Sequence, residues 1–169
     1  MPKLTLALIL IASIFITSCS TVEDLKEDEA ILWPVVLLES SSNTFPTVPV
    51  TLPVSQKTIM AYITPAFTPM HILNVEKIKV DLGFCILIQL TPRAARRLYT
   101  LTADNRGKRF LLGVNDQPLG QRLIDGVIPN GNLFFFLEYP DEDLDELVIE
   151  LKKSLKIIHK KAGSRISKI

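Results

Sequence analysis

The side chains best suited to catalysis or metal binding are two cysteines and two histidines, Cys19, Cys85, His71 and His159. Neither histidine has a cysteine, a second histidine or an acidic residue at the spacing of a zinc site. Cys85 lies within an apolar stretch, which favours an inert buried thiol, although a small hydrolase using Cys85 remains a weaker alternative. We therefore expect no catalytic residue, no metal and no cofactor.

The acidic residues between positions 141 and 146 could suggest calcium. They lack the alternating ligands and the glycine of an EF-hand loop, so they are better interpreted as the start of a helix. The sequence contains no Gly-x-Ser-x-Gly, Ser-x-x-Lys or Walker-type motif, and Gly107-Lys108 lacks the preceding glycines of a phosphate loop. The sequence thus predicts a protein that is not an enzyme.

The N-terminus has the pattern of a secretory signal. Lys3 supplies one positive charge and residues 4–16 form an apolar run, which is shorter than the roughly 20 residues that span a bilayer. The residues Ile16-Thr17-Ser18-Cys19 resemble the lipobox of bacterial lipoproteins. This resemblance implies cleavage of a signal peptide at residues 1–18 and lipid attachment to Cys19, which anchors the chain to a membrane.

Such an anchor predicts a location in the cell envelope, facing the periplasm. Ser20 follows the cysteine where an aspartate would retain the protein at the inner membrane of enteric bacteria, so by that analogy the outer membrane is favoured. The precursor has a formal charge of +1, and the mature chain is close to neutral once Lys3 is removed. A nucleic-acid partner is therefore not expected. With Cys19 lipidated, Cys85 has no disulfide partner.

The mature chain divides by composition into a tether, a domain and a tail. An apolar run at residues 31–38, interrupted by Pro34, is either an edge strand or a segment laid on the domain. Three further prolines favour an extended spacer. We predict a lipid-anchored tether at residues 19–56, a folded domain at 57–158 and a basic tail at 159–169.

Within the domain, apolar periodicity predicts an α+β fold with a mostly antiparallel sheet and two main helices on one face. Thr91 and Pro92 have the residue types of an N-cap and first helical position, and the resulting helix should end near Gly107. A last helix should begin at Asp141 and carry acidic residues first and lysines later. The strands are expected at residues 58–64, 76–90, 109–114, 119–124 and 133–138, with a helical turn at 69–74.

The order of these elements and several short motifs resemble the head subdomain of the first periplasmic domain of SecD and SecDF. The resemblance covers roughly residues 57–158. Asp116-Gln117 departs from the family's Asp-Gly turn, and no proton-conducting transmembrane region is recognisable, so proton-driven translocation is not implied. The matching segments are Ile63 to Ala66, Ile72 to Val80, Leu90-Thr91-Pro92, Leu101-Thr102, Gly107-Lys108, Phe110 to Asp116, Ile128 to Gly131 and the helix from Asp141.

The segment from Leu133 to Leu137 contains three consecutive phenylalanines. Because side chains alternate along a strand, either Phe134 and Phe136 or Leu133, Phe135 and Leu137 should point away from the helices. Exposed phenylalanines would form a possible protein-binding surface. The alternative is that the Pro34 segment or a second copy of the chain covers this face.

These expectations combine into a membrane-anchored envelope lipoprotein with a SecD-head-like module. The module would bind an unidentified protein, without catalysis, in protein export or envelope assembly. The structural alternative is a lipoprotein that self-associates into a homodimer through the sheet.

Overall fold

The computed structural model of the chain describes residues 30–41 and 45–166. The predicted signal peptide at residues 1–18, Cys19 and the acidic residues 20–29 lie outside the described residues. From Ile31 onward the described chain forms one compact unit.

Eight β-strands, two α-helices and one short 3-10 turn, at Pro69–His71, make up this unit. The strands are β1 (Pro34–Leu38), β2 (Thr47–Thr51), β3 (Thr58–Tyr62), β4 (Ile72–Val80), β5 (Gly83–Leu90), β6 (Arg109–Val114), β7 (Gln117–Leu123) and β8 (Asn132–Leu137). The helices are α1 (Pro92–Asp104) and α2 (Leu144–Ile166).

Six strands form one antiparallel sheet in the order β1-β6-β7-β8-β5-β4, and β2 pairs with β3 as a separate antiparallel hairpin. Alternation along the strands gives the six-stranded sheet two faces. One face, which we call the front face, carries the main core under α1 and α2. Its fully buried members include Ile86, Phe110 and Phe135. The predicted α+β class, with two helices on a mostly antiparallel sheet, is confirmed.

The opposite face, the back face, is partly covered by the β2–β3 hairpin. Ile59 and Ala61 of β3 and Leu52 pack with Leu111 of β6 in a second, smaller core cluster. Leu37 of β1 lies opposite Leu111 and joins this cluster. The molecule thus has three layers where the hairpin lies: helices, main sheet and hairpin.

Local signals correctly predicted α1. Thr91 is its N-cap, with the side-chain oxygen accepting from the Ala94 N–H at 3.4 Å, and Pro92 is its first residue. The buried face of α1 consists of Ala94, Leu98 and Thr102.

The prediction of one long strand at residues 76–90 was wrong. The chain reverses at Asp81 and Leu82, so that Val80 pairs with Gly83 and the two halves become β4 and β5. Gly83 has φ = +121°, a conformation that side chains disfavour, and this allows the tight reversal. Leu82 fitted the apolar alternation but is 84% exposed at the hairpin tip.

The domain boundaries also differ from the predicted ones. Residues 34–38 form the edge strand β1, which was one of the two alternatives, and residues 47–51 form β2 rather than a free spacer. Both segments lie in sheets because each finds a partner strand: β1 pairs with the distant β6, and β2 pairs with β3, which follows it in a hairpin. At the other end, α2 begins at Leu144 and continues to Ile166, so much of the predicted tail is helical.

Candidate functional site

Strand β8 presents its phenylalanines to different faces of the main sheet. Leu133 and Phe135 are completely buried in the front core. Phe136 is 40% exposed and Phe134 is partly buried on the back face. Of the two orientations considered from the sequence, the structure therefore has Phe134 and Phe136 pointing away from the helices.

The back face around these phenylalanines offers less exposed apolar surface than their sequence suggests. Leu87 lies opposite Phe134, and it is 5% exposed. Gln121 lies opposite Phe136, and its Oε1 is buried without a hydrogen-bond partner among the described residues. Phe136 is thus an accessible apolar group on this half of the face. The segment around Pro34 does not cover it, because that segment is the far edge strand.

A larger apolar surface lies at the other side of the hairpin, where β3 ends beside α1. A groove of about 320 Å³ opens there, and we call it the α1 groove. It is lined by Leu38, Phe45, Pro46, Tyr62, Ile63, Thr64, Ala66, Arg97 and Leu101. Its two most prominent apolar side chains are Phe45 at 62% and Ile63 at 60% exposure.

Two interactions give the α1 groove its shape. The rings of Phe45 and Tyr62 meet edge to face with centroids 6.1 Å apart. The Arg97 guanidinium carbon lies 6.0 Å from the centroid of the buried Phe67 ring. This contact places a positive charge at the wall of the mostly apolar α1 groove. The backbone supports the rim, because the Ile63 N–H donates to the Pro46 carbonyl at 3.2 Å.

Chemically, the α1 groove is suited to binding rather than catalysis. Large exposed apolar side chains favour burial against a partner, and the flanking Arg97 guanidinium can donate hydrogen bonds to a carboxylate or a backbone carbonyl. Sequence reasoning missed this site because its lining comes from β1, β3, α1 and the segment assigned to the spacer. The one local signal was Phe45-Pro46, an aromatic residue within a polar, proline-rich stretch.

The candidate catalytic groups have different surroundings. Cys85 is 1% exposed; burial raises the pKa of its thiol, and the charge of Arg122 only partly opposes this effect. His71 hydrogen-bonds with Thr68, whereas His159 Nε2 lies 3.1 Å from the Pro69 carbonyl oxygen. A buried thiol with a raised pKa has the opposite character to an activated nucleophile.

Within residues 30–41 and 45–166, no group of three or more potential ligand residues is placed to hold a metal ion. None of the helices described there combines the length and the apolar character needed to cross a membrane.

Comparison with known proteins gives a match at the level of fold. No family model and no curated protein sequence matches the chain. A crystal structure of SecDF in its super-membrane-facing form is similar over 73% of this chain, with a TM-score of 0.53 and 12% identity. A second structure, of SecDF described as a membrane component that enhances protein export, is similar over 73% of the chain, with a TM-score of 0.51 and 13% identity.

The similarity spans 18% of the first of these chains and 61% of the second. At such low identity it establishes the shared fold of a SecDF region and nothing about activity. The SecD-like fold that the short motifs implied is confirmed.

Proposed function

We propose that this chain is a non-enzymatic, membrane-anchored envelope protein whose SecD-like module binds extended segments of other polypeptides in the α1 groove. The observation that carries this proposal is the α1 groove itself, with Phe45 and Ile63 each about 60% exposed. Burying such side chains against a partner contributes about 25 cal/mol per Å² of apolar surface. The cation of Arg97 adds a polar contact that can orient the bound chain.

The likeness to SecDF, described in one of its structures as enhancing protein export, supports a role near exported polypeptides. We place the module outside the cytoplasm, anchored through lipid on Cys19 after loss of residues 1–18, with the outer membrane favoured. This placement rests on the N-terminal sequence. Mass spectrometry of the protein purified from membranes tests it: retention of Met1, or an unmodified Cys19, would contradict it.

Peptide binding by the soluble chain, residues 20–169, tests the function of the α1 groove. The probe is a fluorescent peptide in which leucine alternates with serine and one residue is glutamate, compared with a peptide in which serine replaces every leucine. The leucine peptide should bind and the serine peptide should not. Fluorescence anisotropy measures both affinities.

Exposed positions allow variants that leave the core untouched. Phe45→Ser and Ile63→Ser should each weaken binding of the leucine peptide by about tenfold, because burying a large apolar side chain contributes about 1.5–3 kcal/mol. Val54→Ser is the matched control, since Val54 is 75% exposed and does not line the α1 groove. Equal affinity in all three variants would remove the α1 groove as the binding site.

Phe134 and Phe136 remain a second proposed protein-binding surface. Phe136→Ser changes a side chain that is 40% exposed, so the fold should tolerate it. If the leucine peptide loses affinity in Phe134→Ser/Phe136→Ser but not in Ile63→Ser, the back face is the site.

Self-association through the main sheet is the alternative function, with the exposed Phe136 as the observation that favours it. Light scattering over a range of concentrations distinguishes it from peptide binding. A mass that stays monomeric at high concentration would exclude the homodimer. The weaker hydrolase alternative requires Cys85. A hydrolytic activity of the chain that is unchanged in Cys85→Ser would eliminate it.

A further inference from the structure

One end of the molecule collects positive charge from two helices that are far apart in sequence. The Thr91 N–H, at the N-cap of α1, donates to the His71 carbonyl at 2.9 Å. His159, near the C-terminal end of α2, contacts the Pro69 carbonyl oxygen at 3.1 Å. Both contacts are made to the same 3-10 turn, which rises only about 2 Å per residue. The first turn of α1 and the part of α2 around His159 are therefore neighbours.

The exposed cations of this region form what we call the basic end: Arg93 and Arg96 of α1, and Lys156 and Lys160 of α2. Lys156 and Lys160 are four residues apart, so they project from the same side of the helix. They flank His159, whose ring contact turns that part of α2 toward the 3-10 turn.

None of the ion pairs found among the described residues involves these four cations. The described segments 92–103, 151–166 and 65–75, from which these cations and the 3-10 turn come, contain no aspartate or glutamate. The ion pairs found among the described residues join Lys77 to Asp145, Arg109 to Glu39 and Arg122 to Asp125, all outside the basic end. The described part of the chain thus has a cluster of exposed cations at this end.

The acidic residues are concentrated at the other end of α2. Asp145 and Glu146 lie in its first turn, and Asp145 pairs with Lys77 at 2.8 Å. At 1.5 Å per residue, the 11 to 15 residues from Asp145 to Lys156 and Lys160 correspond to about 17–22 Å along α2. The separation of positive from negative charge gives the module an electric dipole, which an external field or a charged surface can align.

Exposed apolar side chains lie within the basic end. Met70, in the 3-10 turn, is 46% exposed, and Leu73, two residues after that turn, is 62% exposed. Cations surrounding a small apolar centre match a membrane interface, where anionic headgroups meet acyl chains. A folded acidic protein would pair with the cations, but it would not account for the exposed apolar side chains of Met70 and Leu73.

We propose that the basic end docks on an anionic phospholipid surface, with Met70 and Leu73 at the headgroup boundary. The acidic start of α2 then points away from the membrane. This docking is separate from peptide binding in the α1 groove and does not require lipid on Cys19. In a lipidated chain it would set the orientation of the module on the surface to which it is anchored.

Vesicle sedimentation with the unlipidated chain, residues 20–169, tests the docking. Vesicles containing roughly 30% phosphatidylglycerol should bind it at low salt, and vesicles of pure phosphatidylcholine should not. Each cation near an anionic surface contributes about fivefold to partitioning, so Lys156→Gln/Lys160→Gln should lower binding about 25-fold. Lys156→Glu/Lys160→Glu should abolish it.

The matched control is Lys57→Glu/Lys79→Glu, which changes the net charge equally at two exposed positions outside the basic end. It should retain most of the binding, whereas Met70→Ser should weaken it. Equal binding to both vesicle types would overturn the proposal. An equal loss in the Lys57/Lys79 control would also overturn it, since the effect would then come from net charge alone.

Discussion

The Glu138 carboxylate joins the end of β8 to the β2–β3 turn: its Oε2 accepts the N–H groups of Val54 and Ser55, each at 2.8 Å. The partners are more than 80 residues apart in sequence. This contact fixes the hairpin on the back face, opposite the helices. The hairpin carries Tyr62 at its end, so the same contact helps to position one wall of the α1 groove.

Glu138→Gln should loosen the hairpin. Burial acts to raise the pKa of Glu138, but the hydrogen bonds from Ser55 and Val54 outweigh it and hold the pKa below its usual value. A carboxyl with a lowered pKa stabilises the folded state above its unfolded pKa of about 4.3, and this contribution disappears as the pH falls through the lower folded value.

Urea unfolding measured from pH 7 down to pH 3 checks this prediction. At pH 7 the Gln variant should be less stable by about 1 kcal/mol, since one partly exposed charge-assisted contact is weakened. The difference from the parent should shrink at acidic pH. A difference that grows on acidification would contradict the assigned role of Glu138.

Gly120→Ala should destabilise the junction of β7 and β8. An added Cβ would lie 2.5 Å from the Phe136 carbonyl oxygen and 3.0 Å from the Leu137 Cα, both backbone atoms that cannot move aside freely. Overpacking of this kind costs about 1–3 kcal/mol. Gly126→Ala is the control, because nothing lies within 4 Å of its added Cβ. Thermal unfolding of the two variants should differ clearly, and equal melting temperatures would refute the close approach.

Thr102→Val should destabilise the loop that follows β7, although the side chain keeps its shape. The Thr102 hydroxyl donates to the Leu98 carbonyl at 2.8 Å and accepts the Ile128 N–H at 3.0 Å. Valine leaves the Ile128 N–H without this acceptor, at a cost of about 1–3 kcal/mol. Thr102→Ser retains the hydroxyl and should recover most of the lost hydrogen-bond stability in chemical denaturation. A serine variant no better than valine would show that the hydroxyl contributes nothing.

Cys85 should resist thiol reagents in the folded chain. It is 1% exposed, and burial raises the pKa of its thiol. Labelling by a disulfide reagent at pH 8 should therefore be on the order of a hundredfold slower in the folded chain than in urea, because reaction requires local opening. The soluble chain without Cys19 has Cys85 as its only thiol, so the absorbance change reports this site directly. Rapid labelling without denaturant would contradict its burial.

Features that depend on neighbouring residues were predictable from the sequence. The N-cap and first position of α1, the exact extent of β6 and the alternation of β8 follow from side-chain chemistry within a few residues. The turn at Asn115 and Asp116 belongs to this group, since both residues adopt positive φ angles that asparagine and aspartate tolerate. The order of such elements was enough to predict the SecD-like fold.

Other features were decided only when distant segments met. Periodicity showed that β8 has two faces, but packing against α1 and α2 determined that Leu133 and Phe135 are buried and that Phe136 is exposed. Residues 34–38 became an edge strand because β6 supplies its partner, a pairing that no local pattern encodes. The α1 groove and the basic end likewise exist because tertiary contacts bring separated residues together. The sequence determines which side chains each short element carries, whereas pairing and packing over long sequence distances determine which of them share a surface.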